Sequence, residues 1–591
     1  MKIIPFLCAL FVAGNSLFGQ TNPAPYVNQL APISAKPGSG AFTLTVYGAN
    51  FVSGSVLKWN GSARTTHFVS YDQLTAAITA EDVSKASTAS VTVVNPSPGG
   101  GVSNVANFSV QRPSSTVALA PTAQRLEPGV VAVGDFNGDG MLDLAIGESC
   151  DVYNCIANLD FYAGKGDGTF APPVRTPVDL RFVGDGQTFV ISLYVADYNA
   201  DGIPDIAFNA GSGDPEISAV GTIMLGNGDG TFTQLGSIEN GSYQDNVVAV
   251  ADINQDALPD LIATGGSGGG DGPEESIWLG ITGGQYTQSQ SFGKLGEGGG
   301  ALGDFNGDGK LDLVLSSESL PNKFTDVLVL SGNGDGTFQQ PVDYVTSNPN
   351  YNVFIADLNG DGKLDIFTDG ICTLFGNGDG TFGFGPCTSA APGPSVIGDF
   401  NSDGKMDIAI LSGTPPAINI YFGNGDGTFS SPFVYVPPTS PSYSIDSFCC
   451  VLSLSAGDFT NDGRIGFAVS GTPTAAVYLP SVASVTPTAV AYGTVQLFGT
   501  VPPQTVTFQN VGKTTLPITA IKVKGSDASL FMQTNNCGKS LPGGGSCQIQ
   551  VSFAPQQAGI RSAFLEIDYQ GLGNQQIIPL SGTAIGPTAA P

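Results

Sequence analysis

Between residues 113 and 480 short apolar runs alternate with clusters of Gly, Asp and Asn. Runs such as Val131 to Val133, Leu142 to Ile146 and Asn158 to Tyr162 are rich in β-branched and aromatic residues, and their Gly/Asp boundaries predict strands rather than helices. The polar clusters repeat. Seven segments align without gaps: GDFNGDGMLDLAIG from Gly134, ADYNADGIPDIAFN from Ala196, ADINQDALPDLIAT from Ala251, GDFNGDGKLDLVLS from Gly303, ADLNGDGKLDIFTD from Ala356, GDFNSDGKMDIAIL from Gly398 and GDFTNDGRIGFAVS from Gly457. Their leading aspartates lie 62, 55, 52, 53, 42 and 59 residues apart, which is one supersecondary unit per repeat. A second phrase, GDGTF, follows in five of the units, starting at Gly166, Gly228, Gly334, Gly378 and Gly425. The first loop then joins strands one and two, and GDGTF joins strands three and four through a tight Asp-Gly turn.

Each unit therefore reads as a four-stranded meander. Seven such sheets predict an all-β, seven-bladed β-propeller, a form in which radial repetition leaves few free edges. The seventh unit changes character after Ala475 to Leu479 and lacks a fourth strand; Thr116 to Ala120, just ahead of the first repeat, is predicted to supply it.

Composition narrows the setting. Gly (81) and Pro (40) make up 121 of 591 residues, and charged residues only 12%, so most of the surface is uncharged polar and turn-rich. Fifty acidic against 21 basic residues give a net charge of −29, which disfavours nucleic acid and anionic membrane surfaces as partners. The single histidine, His67, leaves no His-rich zinc site and little conventional Ser or Cys catalysis; it reads as a solvated surface residue, and Trp59 and Trp278 read as packing residues. Lys2, the apolar run Ile3 to Val12 and the small residues Gly14, Ser16 and Gly19 predict an export signal over 1–19. No later run is long and apolar enough to span a bilayer. Cys150 with Cys155, Cys372 with Cys387, Cys449 beside Cys450 and Cys537 with Cys547 form local pairs without CxxC spacing, which favours disulfides in an oxidising compartment over a metal site.

The shared pattern D-x-N-x-D-G-x-x-D carries the candidate chemistry. Asp at positions 1, 5 and 9, Asn at 3 and a backbone carbonyl near 7 offer an oxygen set suited to Ca2+. Twenty aspartates concentrated in these loops repel one another unless a cation neutralises them. For one copy alone, an ion-free Asp/Asn/Gly turn is the simpler reading; seven aligned copies favour calcium. An EF-hand is excluded, because position 12 is Ile146 in the first copy and the flanks are strands. Two other motif matches fail on context: GxSxG at Gly265 to Gly269 lies in a glycine-rich loop, and Gly512 to Thr514 lacks the first glycine of a phosphate loop.

These repeats resemble FG-GAP/VCBS repeats of integrin-α-like proteins, a resemblance that implies a seven-bladed propeller with calcium in the loop between the first two strands of a blade. Carried over by position, the ligands fall on Asp135, Asn137, Asp139, Met141 and Asp143 in the first repeat and on Asp197, Asn199, Asp201, Ile203 and Asp205 in the second. They fall on Asp252, Asn254, Asp256, Leu258 and Asp260 in the third, and on Asp304, Asn306, Asp308, Lys310 and Asp312 in the fourth. The fifth has Asp357, Asn359, Asp361, Lys363 and Asp365, and the sixth Asp399, Asn401, Asp403, Lys405 and Asp407. The residue at position 7 would contribute its carbonyl. The seventh keeps Asp458 and Asp462 but has Thr460 for Asn and Gly466 for the last Asp, so six full sites and a weaker seventh are implied. Ala257 replaces the turn glycine of the third.

Residues 26–111, with LTVYGANFVSGSVLKWNGS and NPSPGGG, resemble an IPT/TIG immunoglobulin-like domain. Residues 481–585, with CGKSLPGGGSCQIQVSFAPQQAG, resemble an ASPM/SPD-2/Hydin-like or choice-of-anchor D sandwich, in which Cys537 and Cys547 would staple a hairpin. The expected protein is a secreted, non-catalytic recognition or adhesion module for an extracellular protein or polysaccharide. A polysaccharide lyase using Tyr, Lys or Arg, or a surface spacer, is the alternative. Long, dissimilar connections on the face opposite the Asp loops would hold the ligand, with Tyr153, Arg175 and Arg181 as candidate contacts.

Overall fold

The computed structural model describes residues 22–586 outside the stretches 112–118, 149–156, 180–187, 213–219, 241–242, 266–274, 282–284, 293–298, 318–325, 347–351, 388–389, 414–415, 437–451, 471–474, 513–514 and 571–574 and the positions 123, 125, 200, 392, 488 and 500. The expected signal segment, Cys150, Cys155, Tyr153, Arg181, Cys449, Cys450 and most of the GxSxG match lie outside the described residues. Among the described residues, helix is confined to one 3-10 turn at Ala528–Leu530; the rest of the regular structure is strand.

Each of the first six repeats builds four antiparallel strands in sequence order. The first sheet runs Val130–Gly134, Asp143–Glu148, Ala157–Tyr162 and Val174–Val178. Val131 faces Ile146 and Leu144 faces Tyr162, so the apolar runs pair in register. In this sheet the second strand is buried on both faces, whereas most of the fourth is exposed, so burial decreases from the middle of the sheet toward its last strand. The seventh sheet contains Ser453–Gly457, Gly466–Ser470 and Ala476–Pro480, and its fourth strand is Leu119–Pro121, with Leu119 opposite Pro480 and Pro121 opposite Tyr478. The strand from ahead of the first repeat thus completes the last sheet. One feature departs from seven separate meanders. The second and third sheets join edge to edge, Glu239 pairing with Gln244 and Asn240 with Tyr243, to make one eight-stranded sheet.

Successive sheets pack face to face. Phe208 and Met224 of the second sheet share a core with Leu159 and Phe161 of the first, and corresponding clusters join the third to the fourth, the fifth to the sixth and the sixth to the seventh. Phe459, Val477 and Leu479 of the seventh then pack on Leu144, Ile146 and Phe170 of the first. The phenylalanine of GDGTF is the wedge: Phe232 meets Phe136 of the preceding sheet at 5.7 Å, Phe382 meets Phe305 at 5.4 Å, and Phe170 meets Phe459 at 6.0 Å, all edge to face. Backbone bonds accompany the rings, Gly168 N–H donating to Phe459 O and Gly380 N–H to Phe305 O at 3.0 Å each.

Each flank is a two-sheet domain around its own core. In the N-terminal one, Leu44, Val46 and Leu74 face Leu57, Val91 and Phe108, with Trp59 against Phe108 at 5.1 Å. In the C-terminal one, Val506, Phe508 and Ile549 face Leu565, Ile567 and Ile578. Disulfides Cys372–Cys387 and Cys537–Cys547 are formed. His67 is exposed, while Trp59 and Trp278 are buried, as expected of packing residues.

The GDGTF turn needs its second glycine for space as well as for conformation. Gly230 has φ of +82° and an added Cβ would lie 2.1 Å from Phe161; Gly138, in the first Asp loop, has φ of +72° with nothing within 4 Å. Gly230→Ala is expected to cost about 2–4 kcal/mol, and Gly138→Ala only the backbone term of about 1 kcal/mol. Denaturant titration of the two variants checks the order.

Candidate metal centres

The first strand of each sheet delivers the leading aspartate into a loop that folds around its own side chains. Asp135 Oδ1 accepts the Asp139 N–H at 3.0 Å, Asp135 Oδ2 accepts the Gly140 N–H at 2.9 Å, Asn137 Oδ1 accepts the same Asp139 N–H at 2.9 Å, and Asp139 Oδ1 accepts the Met141 N–H at 2.8 Å. Positions 1 and 3 therefore converge on a single amide. Asp197, Asp252, Asp304, Asp357 and Asp399 repeat this arrangement with Asn199, Asn254, Asn306, Asn359 and Asn401. In the third loop Ala257 takes the turn glycine's place at φ of +75° and still donates its N–H to Asp252 Oδ2, so the loop survives the substitution with backbone strain.

The ninth position does something the spacing did not predict. Asp143 is the first residue of the second strand and fully buried; its Oδ2 accepts the Phe136 N–H at 3.0 Å and its Oδ1 the Gly164 N–H at 2.7 Å. One carboxylate thus staples its own loop to the end of the third strand. Asp205, Asp260, Asp312, Asp365 and Asp407 make the same two bonds to Tyr198 and Gly226, Ile253 and Gly280, Phe305 and Gly332, Leu358 and Gly376, and Phe400 and Gly423. Burial, with the neighbouring loop aspartates adding repulsion, pushes the Asp143 and Asp365 carboxyls up to about 6, Asp205, Asp260 and Asp312 to about 7, and Asp407 to about 8. Burial also raises Asp252 and Asp304, at position 1, to about 6.

Among the described residues no trio of acidic, His or Cys side chains is gathered closely enough to hold a metal by itself; the carboxylates are turned to backbone N–H groups. The donor set nevertheless fits a hard cation. It consists of oxygens alone, carboxylates and an amide on one short loop, with retained lone pairs and mutual repulsion for a cation to relieve. The seventh loop does not fit. Gly466 removes the carboxylate of position 9, Thr460 puts a hydroxyl that donates to Asp458 Oδ1 in place of the Asn amide oxygen, and the Asp462 carboxylate is paired with Arg464 at 2.5 Å.

The N-terminal domain covers this face over five loops, which the sequence did not indicate. Ala24 N–H donates to Asp252 Oδ2 at 2.7 Å, Asn28 Nδ2 to Leu302 O at 2.7 Å, and Asp357 N–H to Gln29 Oε1. Ser34 hydrogen-bonds Asp399, Thr88 Oγ1 donates to Asp458 Oδ2 at 2.9 Å, and Tyr71 lies against Gly309 of the fourth loop. The GDGTF aspartates are turn formers: Asp167 Oδ1 accepts both the N–H and the hydroxyl of Thr169, as Asp229, Asp335, Asp379 and Asp426 do for their threonines. Of the three candidate ligand contacts only Arg175 is described, and its guanidinium is held by buried Asp160 at 2.8 Å and by Glu148.

With loops, sheets and flanks in place, the chain is a repeat protein of stacked four-stranded sheets between two sandwich-like domains. The family model of the FG-GAP-like repeat matches residues 135–208, 304–368 and 399–469, the IPT/TIG domain model matches 25–110, and the HYDIN/CFA65/VesB-like, Ig-like domain model matches 486–583. The chain therefore contains FG-GAP-like repeats with a TIG domain before them and a HYDIN/CFA65-like Ig domain after them. No curated protein matches the chain. Among solved structures it is similar to an auxiliary nutrient binding protein from Bacteroides ovatus, at 11% identity over 77% of this chain and 98% of that one with a TM-score of 0.29. It is similar to BBS1N in its complex with ARL6DN, at 11% identity over 62% and 97% with a TM-score of 0.38. The ASH/PapD-like domain 7 of human CEP192 is 18% identical over 18% of this chain and 87% of that one, with a TM-score of 0.14. Likenesses of this size say nothing of what this chain binds.

The raised carboxyls fix a pH dependence. Folded pKa values above the unfolded value of about 4 mean that the cation-free folded chain holds protons more tightly than the unfolded chain, so stability is lost as pH rises from about 4 to about 8. EDTA-treated protein is expected to melt at a higher temperature near pH 5 than near pH 8, as read by calorimetry.

Proposed function

We propose that this chain is an extracellular recognition or adhesion module: a seven-bladed propeller with calcium in its first six Asp loops, presenting its ligand surface on the face opposite those loops. The observation that supports this reading most is the seating of the N-terminal domain on the Asp-loop face over the third to seventh repeats. That face is short-looped, repetitive and largely occupied. The opposite edge receives the connections that differ most between repeats in length and composition, a distribution suited to recognition on a rigid scaffold. Two disulfides and the predicted export signal fit an oxidising, extracellular setting, and among the described residues no helix is long and apolar enough to cross a membrane.

Calcium would be held by the side-chain oxygens of positions 1, 3, 5 and 9 and the carbonyl of position 7, and its charge would offset carboxylate repulsion. An ion bound only by the folded chain adds about 2.7 kcal/mol per site at a hundredfold excess over Kd, so chelation is expected to lower the unfolding temperature and Asp308→Ala to remove one equivalent of calcium. Elemental analysis and melting curves check both; an unchanged melt with no calcium found rejects the metal.

The binding face is tested on arrays of polysaccharides and extracellular proteins. Against the strongest hit, Glu127→Lys with Asp179→Lys, at the edge opposite the Asp loops, is expected to change affinity about tenfold, and Asp139→Lys in the first Asp loop to leave it unchanged. The reverse pattern moves the site to the loop face. Depolymerisation of the hit polysaccharide would replace recognition by lyase activity.

A further inference from the structure

Position 7 of the repeat carries Met141, Ile203, Leu258, Lys310, Lys363, Lys405 and, in the seventh loop, Arg464. Lys310 is a surface residue, its Nζ 3.7 Å from Asp308 with both side chains about 40% exposed (39% and 41%). Arg464 is different. Its side chain is 14% exposed and that of its partner Asp462 9%, with Nε and Nη2 both on Asp462 Oδ2 at 3.0 and 2.5 Å. The remaining nitrogen, Nη1, donates to Ser481 O at 2.6 Å, where the C-terminal domain begins. Ser481 in turn shares a hydrogen bond of 2.9 Å with Tyr569 Oη inside that domain.

The other acid of the loop ties in the N-terminal domain. Asp458 is 5% exposed; its Oδ2 accepts the Gly463 N–H at 2.6 Å and the Thr88 hydroxyl at 2.9 Å. Gly463 is seated so tightly that an added Cβ would lie 2.5 Å from Val110 O. Two nearly buried carboxylates thus sit at a junction of three domains, in a loop that has lost the carboxylate of position 9, beside a guanidinium that none of the other six loops has at this position. A buried carboxylate pair of this kind needs a positive partner.

We propose that Arg464 is the built-in cation of the seventh loop: its guanidinium takes the neutralising role that calcium is assigned in the other six, and it makes the seventh loop's own contacts with both flanking domains independent of divalent ions. The contrast with the other loops rests on the calcium reading above; the role of Arg464 does not. The fork geometry matters, because one side chain must satisfy Asp462 and Ser481 O together, which an ammonium on a single point cannot do as well.

Hydrogen exchange of the full chain, read by mass spectrometry over 456–466 and 481–485 with and without EDTA, tests this. In the unsubstituted protein EDTA is expected to leave protection of these two segments unchanged while the first six loops exchange faster. Arg464→Gln is expected to speed exchange in both segments about tenfold, and Arg464→Lys by less. If EDTA alters no loop but Arg464→Gln still loosens the junction, the calcium reading fails and this one stands. If EDTA strips protection from the seventh loop together with the others, or if Arg464→Gln exchanges as the unsubstituted protein does, the proposal is overturned. Should the Gln variant not fold, Arg464→Lys decides: increased exchange that EDTA does not enhance supports the built-in cation, and unchanged exchange refutes it.

Discussion

A buried carboxylate at the start of the second strand in the first six units is the contact on which the repeat depends. With both oxygens engaged, Asp143 and its five counterparts close the Asp loop onto the second strand and hold the end of the third beside it. Asparagine has one acceptor where two are needed and would set an NH2 group against an N–H. The residue that a ligand-spacing argument treats as one metal oxygen among several is therefore also the fastener of three strands. Its cost is an ionised group in a dry place, expressed as a carboxyl held up to about 8 at Asp407. A cation over the loop would offset that cost, so the structural and metal-binding readings of this aspartate reinforce each other.

The fastener acts within a sheet, and the aromatic wedge acts between sheets. The second loop residue, Phe136, Phe305 or Phe459, lies beneath the loop, and the GDGTF phenylalanine of the next sheet meets it edge to face. Loop shape therefore sets inter-sheet packing: a loop that opened would displace the ring on which its neighbour rests. The repeat can lose one part without losing the other. The third unit lacks GDGTF and replaces the turn glycine, yet retains Asp260 and its two backbone bonds, and joins its neighbour edge to edge as well.

The seventh unit lacks the buried aspartate and is held by other means. Its fourth strand comes from residues 119–121, its loop charge meets Arg464, and its flanks meet Thr88 on one side and Ser481 on the other. The unit with the weakest repeat pattern is the one where all three parts of the chain meet. Departures from the pattern there coincide with the pairing of Arg464 with Asp462 and with Ser481 O of the C-terminal domain.

The strands, the seven units, the borrowed strand, the turn-forming aspartates of GDGTF and the two described disulfides are legible in the amino acids alone, because each follows from local periodicity, turn chemistry or close spacing in the chain. The borrowed strand lies at Leu119–Pro121, within three residues of where the count placed it. Three features rest instead on contacts between parts of the chain that a linear reading does not bring together. Ala24, Asn28, Gln29, Ser34 and Thr88 meet the Asp loops across more than two hundred residues of chain, through isolated hydrogen bonds that leave no periodic mark. Arg175, read as a candidate contact from its place in a variable connection, is committed to Asp160 and Glu148 by strand pairing that a linear reading cannot register. Asp143 and its counterparts carry the same letter as the other loop aspartates, and what separates them is the arrival of the third strand's N–H on the far side of the carboxylate, a fact of packing rather than of spacing.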